Sequence, residues 1–300
     1  MKATHYLIPA LLLAAACQRM EAPIQPEAVV SDDAVSTLTL QASKGESRTK
    51  ALDLVSGTPD YLDAYWKGTE TVKVYKGGTL LGTLDVTPAS GEKPTSATLS
   101  GTIVTDGLSV NDVLTLMIPR ESWSYIGQNG QLTGTDSIED AYDYATAQVT
   151  VSAMDAGLVT TSGSAHFTNE QSIYRFGFKD GGNYIDPKSF TVSSSGGKLV
   201  QSLSWSADTW TPAYGDITVT PVAAAGDYFY YVSLRNEHTD ADTYNFLITA
   251  SDESLLMATQ AIPAGALATP GQFISAKNVS IVKPSFAPVS GSVSEPENVL

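Results

Sequence analysis

Between Thr37 and Ser43 the chain alternates strictly, with Leu38, Leu40 and Ala42 on one side and Thr37, Thr39, Gln41 and Ser43 on the other. A period of two predicts a strand with one buried face. The next residues, Lys44-Gly45-Glu46-Ser47-Arg48-Thr49-Lys50, are polar and read as an exposed loop whose Arg48 a trypsin-like protease could reach. Alternation returns in 71–75 and 79–86 on either side of Gly77-Gly78, the mark of a tight hairpin. Further predicted strands cover 97–103, 113–118, 147–151, 173–178, 190–192, 198–203, 217–219, 228–234, 243–250 and 273–282, with a second glycine turn at Gly181-Gly182. Residues 51–64 read as mixed and turn-rich, and 123–144 as a long irregular stretch.

Helical periodicity is poor throughout, so the expected fold is all-β, with two β-sandwich domains in tandem. The small, polar run from Asp155 to Ser164 is the expected boundary. It divides the chain into a sandwich over 49–157, a second over 158–286 and a tail over 287–300.

The amino end has a different character. A short basic start is followed by eleven mostly apolar residues, Tyr6 to Ala16, too few to span a bilayer as a helix. Residues 1–16 therefore read as a secretory signal. Ala14-Ala15-Ala16 directly before Cys17 resembles the lipobox of bacterial lipoproteins, and Cys17 is the chain's sole cysteine, so we expect it to be lipidated. One acyl chain holds a protein to a membrane only marginally, whereas two or more anchor it stably. Release of such a protein requires cutting the peptide. Residues 18–33, rich in Pro, Glu and Ala, read as a tether, so 17–48 combines a lipidated tether with a detachable first strand.

Composition narrows the function. A net charge of −15 argues against nucleic acid as a partner, because displacing counterions needs a basic face. With one cysteine no internal disulfide can form, and three scattered histidines, His5, His166 and His238, offer little for a zinc site. No G-x-S-x-G, H-E-x-x-H or G-x-x-x-x-G-K-[ST] occurs, and no catalytic residue, cofactor or metal site is assigned. The acidic group Asp136, Glu139, Asp140 and Asp143 is read as a solvated loop in preference to a calcium site. Trp205, Trp210 and Tyr214 form an aromatic group that reads as core or a domain-interface plug, with a glycan platform as the alternative.

Several segments, in order, resemble the fimbrillin family of Bacteroidetes surface pili. Thr37 to Arg48 is similar to that family's removable first strand and its arginine cleavage site. Tyr65-Trp66-Lys67-Gly68 leading into Val72-Lys73-Val74-Tyr75 resembles a W-x-x-G-D-x-I-x-V-Y region, with Thr69 and Glu70 where Asp is common. Ile118-Pro119-Arg120, Gly127 to Leu132 and Tyr142 to Ala147 resemble the family's "YPY … GQDGTL … YDYATA" run, and Phe167 to Ile173 and Tyr230 to Glu237 its second-domain landmarks. Asp136-Ser137-Ile138 resembles the Asp-Ser/Thr-apolar pattern that this phylum O-glycosylates.

The resemblance implies transthyretin-like sandwiches and a fimbrial subunit at the outer-membrane surface that supports adhesion. Its lipid anchor would hold it to the membrane, and its partners would be other fimbrial subunits, joined by strand exchange after the first strand is cut away. The tail 284–300 is a weak donor strand, with Val289, Val293, Val299 and Leu300 as its anchors, so stalk, tip and anchor positions all stay open. The alternative is a monomeric surface lipoprotein that binds glycans or other host or bacterial surface ligands.

Overall fold

A computed structural model describes residues 35–44, 52–57, 59–119, 122–206, 209–222, 228–267 and 270–283. The strands of the first half are β1 (Val35–Lys44), β2 (Leu52–Val55), β3 (Tyr61–Ala64), β4 (Thr71–Lys76), β5 (Thr79–Pro88), β6 (Ser96–Val104), β7 (Val113–Ile118), β8 (Ser122–Ser124), β9 (Ala145–Asp155), β10 (Leu158–Ser162) and β11 (Ala165–Asn169). The second half holds β12 (Ser172–Asp180), β13 (Asn183–Tyr184), β14 (Pro187–Ser194), β15 (Val200–Ser206), β16 (Thr209–Tyr214), β17 (Ile217–Val219), β18 (Tyr230–Leu234), β19 (Asp242–Ala250), β20 (Leu255–Ile262) and β21 (Phe273–Val282). Helix among the described residues amounts to a π-helical turn at Ile138–Tyr142 and one α-turn at Ala264–Leu267. The fold is all-β, as the alternation predicts.

In the first domain the strand order is β10-β1-β11-β9-β7-β4-β5-β6, and β1 also pairs with β6, so the sheet closes on itself. Every second residue of these strands faces inward, giving one core mainly of Leu, Val, Ile and Ala, with Trp66 and Phe167, that includes Val72, Leu84, Leu99, Leu114 and Val149. The β4–β5 turn is Gly77-Gly78 with φ of 55° and 86°. Positive φ at both central positions is the geometry whose twist matches the flanking strands, and glycine adopts it without a Cβ clash.

The second domain is a sheet of order β13-β12-β21-β20-β19-β14-β17, with β18 also on β12. It folds over an aromatic core. Phe176 meets Phe246 edge-to-face with ring centres 4.9 Å apart, and Phe178 meets Phe190 likewise at 5.0 Å.

The boundary expected at Asp155–Ser164 is corrected. Asp155 and Leu158 face each other as the closing pair of a β9–β10 hairpin, and β10 and β11 both belong to the first sheet beside β1 and β9. Hydrophobic alternation explains it, because Val159, Ala165 and Phe167 all enter the first core. The chain changes domain after Asn169.

Two earlier segments cross the other way. Leu52, Leu62 and Ala64 of the β2–β3 hairpin join Leu132 and Ile138 in an apolar cluster with Ile173 and Tyr231 of the second domain. Trp123, Tyr125 and Tyr144 enter the second core, and β8 pairs with β15. This covering of its outer face is why β12 is buried at every position from Ser172 to Phe178, where a one-sided strand would alternate. The segment expected to be irregular is therefore a built part of the junction.

Candidate functional site

The site is the groove that holds β1. Along one edge β1 runs antiparallel to β6 in continuous register, from Val35 opposite Val104 to Ser43 opposite Ser96. Along the other it runs parallel to β10 at Thr37 and Leu38, then to β11 from Ala42 to Lys44. Both backbone edges of the leading strand are thus hydrogen-bonded, and it is the piece that closes the barrel.

Leu38, Leu40 and Ala42 all point into the core, with exposures of 0%, 5% and 2%. Each leucine contributes roughly 1.5–3 kcal/mol by leaving water. On the outer face the Thr39 and Ser100 hydroxyls lie 2.7 Å apart, Gln41 Nε2 donates to Thr98 Oγ1 at 3.1 Å, and Ser43 Oγ meets His166 Nδ1 at 2.7 Å. These exposed contacts add little energy but fix the register by side-chain pairing.

The strand does not end at Ser43 as predicted. It continues through Lys44, whose side chain takes the next inward position and is 1% exposed. Its ammonium donates to the Tyr65 carbonyl, lies 3.8 Å from Glu70 Oε1 and sits 4.5 Å from the centre of the Trp66 ring. Glu70 is held from behind, where Lys67 N donates to Oε1 at 2.9 Å and Gly68 N donates to Oε2 at 2.7 Å. Gly68 has φ of +82°, and a Cβ there would meet Pro88 Cδ at 3.0 Å, so this close turn depends on glycine. Reading Lys44 with the polar run after it hid this pair. The signal that could have found it is spacing, since 38, 40, 42 and 44 share one face.

The lipidation residue Cys17 and the cleavage residue Arg48 lie outside the described residues. The three candidate platform residues do not form one surface. Trp205 and Trp210 face each other across β15–β16, whereas Tyr214 lies four residues along the strand, roughly 13 Å away at about 3.3 Å per residue. Trp205 packs on Tyr75 of the first domain at 5.4 Å, and Trp210 lies 4.0 Å from Trp123, centre to centre. Tyr214 donates its hydroxyl to Glu237 at 2.6 Å and lies under the Lys198 ammonium. The hydrogen bond to Glu237 and burial raise the Tyr214 phenol above its ordinary pKa. Trp205 and Trp210 do line one edge of a cleft of about 660 Å³, whose other wall includes Thr115, Thr146, Gln148 and His166 of the first sheet.

The acidic group of 136–143 is not simply solvated. Asp140 accepts a hydrogen bond from Asp136 N at 3.0 Å, Glu139 pairs with Lys67, and buried Asp143 accepts from Gln171 Nε2 at 2.9 Å. Ser137 caps the π-turn and is fully buried, which removes its hydroxyl from reach of a glycosyltransferase in the folded chain. His166 meets Ser43, and His238 Nδ1 lies 3.1 Å from the Asp240 carbonyl.

No protein-family model matches the sequence, and no curated protein matches it. Among solved structures the chain is similar to a Bacteroides ovatus protein that carries the description of a cell-adhesion protein, at 13% identity and TM-score 0.40 over 84% of this chain and 97% of that one. It is similar to a fimbrial assembly protein from Parabacteroides distasonis, at 9% identity and TM-score 0.35 over 80% and 89%. It is also similar to the shaft pilin spaA of Lactobacillus rhamnosus GG, at 11% identity and TM-score 0.33 over 85% and 100%.

Proposed function

We propose that the chain is a fimbrial subunit of the bacterial surface, exported as a lipoprotein through Cys17, cut after Arg48, and assembled when a strand from a neighbour replaces β1. The observation that carries this reading is the placement of β1. It lies at the leading end of the described fold, both its edges are paired, and its apolar residues fill the core. Its departure would expose two rows of backbone groups and the pockets of Leu38 and Leu40, which is the opening that an incoming strand fills by β-augmentation. The role is structural and adhesive, with no catalysis. Brief trypsin treatment of the folded protein tests it: one cut after Arg48 and a stable body are expected, with filaments under the electron microscope once a subunit carrying the incoming strand is added. Degradation of the body, or no cut after Arg48, would count against it.

The cleft bordered by Trp205 and Trp210 favours a second reading, a monomeric surface lipoprotein that binds glycans. Indole rings beside amide and hydroxyl groups suit a sugar's apolar face and hydroxyls. Glycan-array binding by the intact monomer that is lost in Trp210→Ala would support it.

A further inference from the structure

The Lys44–Glu70 pair has a consequence that depends on the strand-exchange reading. Lys44 leaves with β1 in any cut after Arg48, whereas Glu70 stays. Its carboxylate remains aimed at the vacated position by the amides of Lys67 and Gly68, both on the body of the domain. The Glu70 side chain is only 3% exposed with β1 in place, and the nearest cation on its own turn, Lys67, is engaged by Glu139. Filling the groove with a strand that lacks a cation would bury a carboxylate without its counter-charge, which is strongly unfavourable. The Tyr65 carbonyl and the Trp66 ring complete a receptor for one positive group.

We propose that Glu70 and the 65–70 turn select the incoming strand by its charge, so that the occupant is a β-strand of another polypeptide reading apolar–x–apolar–x–small–x–basic. Leu38, Leu40, Ala42 and Lys44 are the resident copy of that pattern. At the small position, Ala42 lies between Ala97 on β6 and Ala165 on β11. The chain's own residues 284–300 contain no Lys or Arg and carry Glu295 and Glu297, so they do not match the groove. The matching strand therefore belongs to a different subunit that carries this pattern, since β1 of a second copy leaves with its own cut.

The test uses full-length protein cut by trypsin, and labelled synthetic peptides corresponding to 35–44 in two forms, native and Lys44→Met, with a 284–300 peptide as comparison. Because only the peptide varies, folding of a protein variant is not in question. Native peptide is expected to bind at least tenfold more tightly than the Lys44→Met form, with the 284–300 peptide weaker than both. In Glu70→Gln protein, checked for a native near-UV spectrum, the preference for lysine is expected to vanish. Equal binding of the native and Lys44→Met peptides to wild-type protein would overturn charge selection while leaving strand exchange intact. Failure of every peptide to bind would overturn strand exchange, and charge selection with it.

Discussion

Asp60 Oδ2 and Arg175 Nη1 lie 3.1 Å apart where the β2–β3 hairpin meets the second domain, and Lys277 reaches the same carboxylate oxygen. The Lys277 hydrogen bond, followed by one from Gly57 N, holds the Asp60 carboxyl below its ordinary value of 3.8 against the opposing effect of burial, and the charges of Lys277 and Arg175 add to it. A lowered carboxylate pKa contributes stability that is fully present above the unfolded value and lost as pH falls through the folded one. Amides of 52–64 are therefore expected to lose hydrogen-exchange protection as pH drops below about 3.8. In Asp60→Asn they should be less protected already at pH 7 and flatter with pH. Identical profiles in the two proteins would remove Asp60 as the fastening.

Leu38 and Thr39 are neighbours on β1 with opposite fates, one fully buried and the other exposed. Leu38→Ala leaves a cavity in a closed barrel that has little freedom to collapse, so a loss of about 2–5 kcal/mol is expected from the shift of a urea unfolding midpoint. Thr39→Ala removes only an exposed hydroxyl pair and should stay within about 0.5 kcal/mol. Equal effects would mean that the two faces of β1 are not distinct.

Most strands were legible because one-sided burial writes itself as alternation. Residues 37–43, 71–86 and 147–151 show it directly, and the Gly77-Gly78 turn is a local code. What the sequence hid is non-local. Asp155-Ala156-Gly157 looks like a linker, yet it is a hairpin turn, because a turn inside a sheet and a turn between domains use the same residues. β20, at 255–262, escaped notice although Leu256, Ala258 and Ile262 are buried, since its outward Leu255 and Met257 are also apolar and blur the period. The groove's leucines were readable, but the role of Lys44 was not. A buried cation becomes visible only when Glu70, twenty-six positions away in the chain, is placed against it.

Asp242 joins four donors at the edge of the second domain. It accepts from Ser194 Oγ, from Asn236 Nδ2 at 2.8 Å, from Gly196 N at 2.9 Å and from Thr243 N at 2.7 Å. Burial alone would raise its pKa, but the bonds from Ser194, Asn236, Gly196 and Thr243 outweigh it and the value is lowered. Its stabilisation is likewise complete above the ordinary carboxyl range and fades as pH falls through the depressed folded value. Asp242→Ala strands several partly buried donors, so a loss of roughly 2–4 kcal/mol is expected at pH 7, at about 1–3 kcal/mol per unsatisfied group with partial rescue by water. The variant should also lose part of the wild-type acid sensitivity seen as pH falls below the ordinary carboxyl value of 3.8. Retention of the full acid dependence would assign that sensitivity to other carboxylates.

Trp205 and Trp210 differ in what they join. Trp205 is 9% exposed and reaches Tyr75 and Met117 of the first domain, whereas half-buried Trp210 lies over Trp123 on its own side of the junction. Trp205→Ala removes the ring between the domains, and a cost near the roughly 3–5 kcal/mol range of buried tryptophan truncations is expected. Because that ring bridges Tyr75 of the first domain and β15 of the second, the unfolding transition is expected to be broader or more divided than in the wild-type protein, as domains with few shared contacts unfold independently. Trp210→Ala should cost about half as much, in proportion to its smaller burial, and leave one transition. The comparison separates the two roles of the aromatic group. If Trp210→Ala alone abolished glycan binding while the junction held, the cleft would be a ligand site, and if it changed stability alone, the ring would be packing. A single sharp transition in Trp205→Ala would instead mean that the β8–β15 pairing and the β2–β3 hairpin suffice to couple the domains.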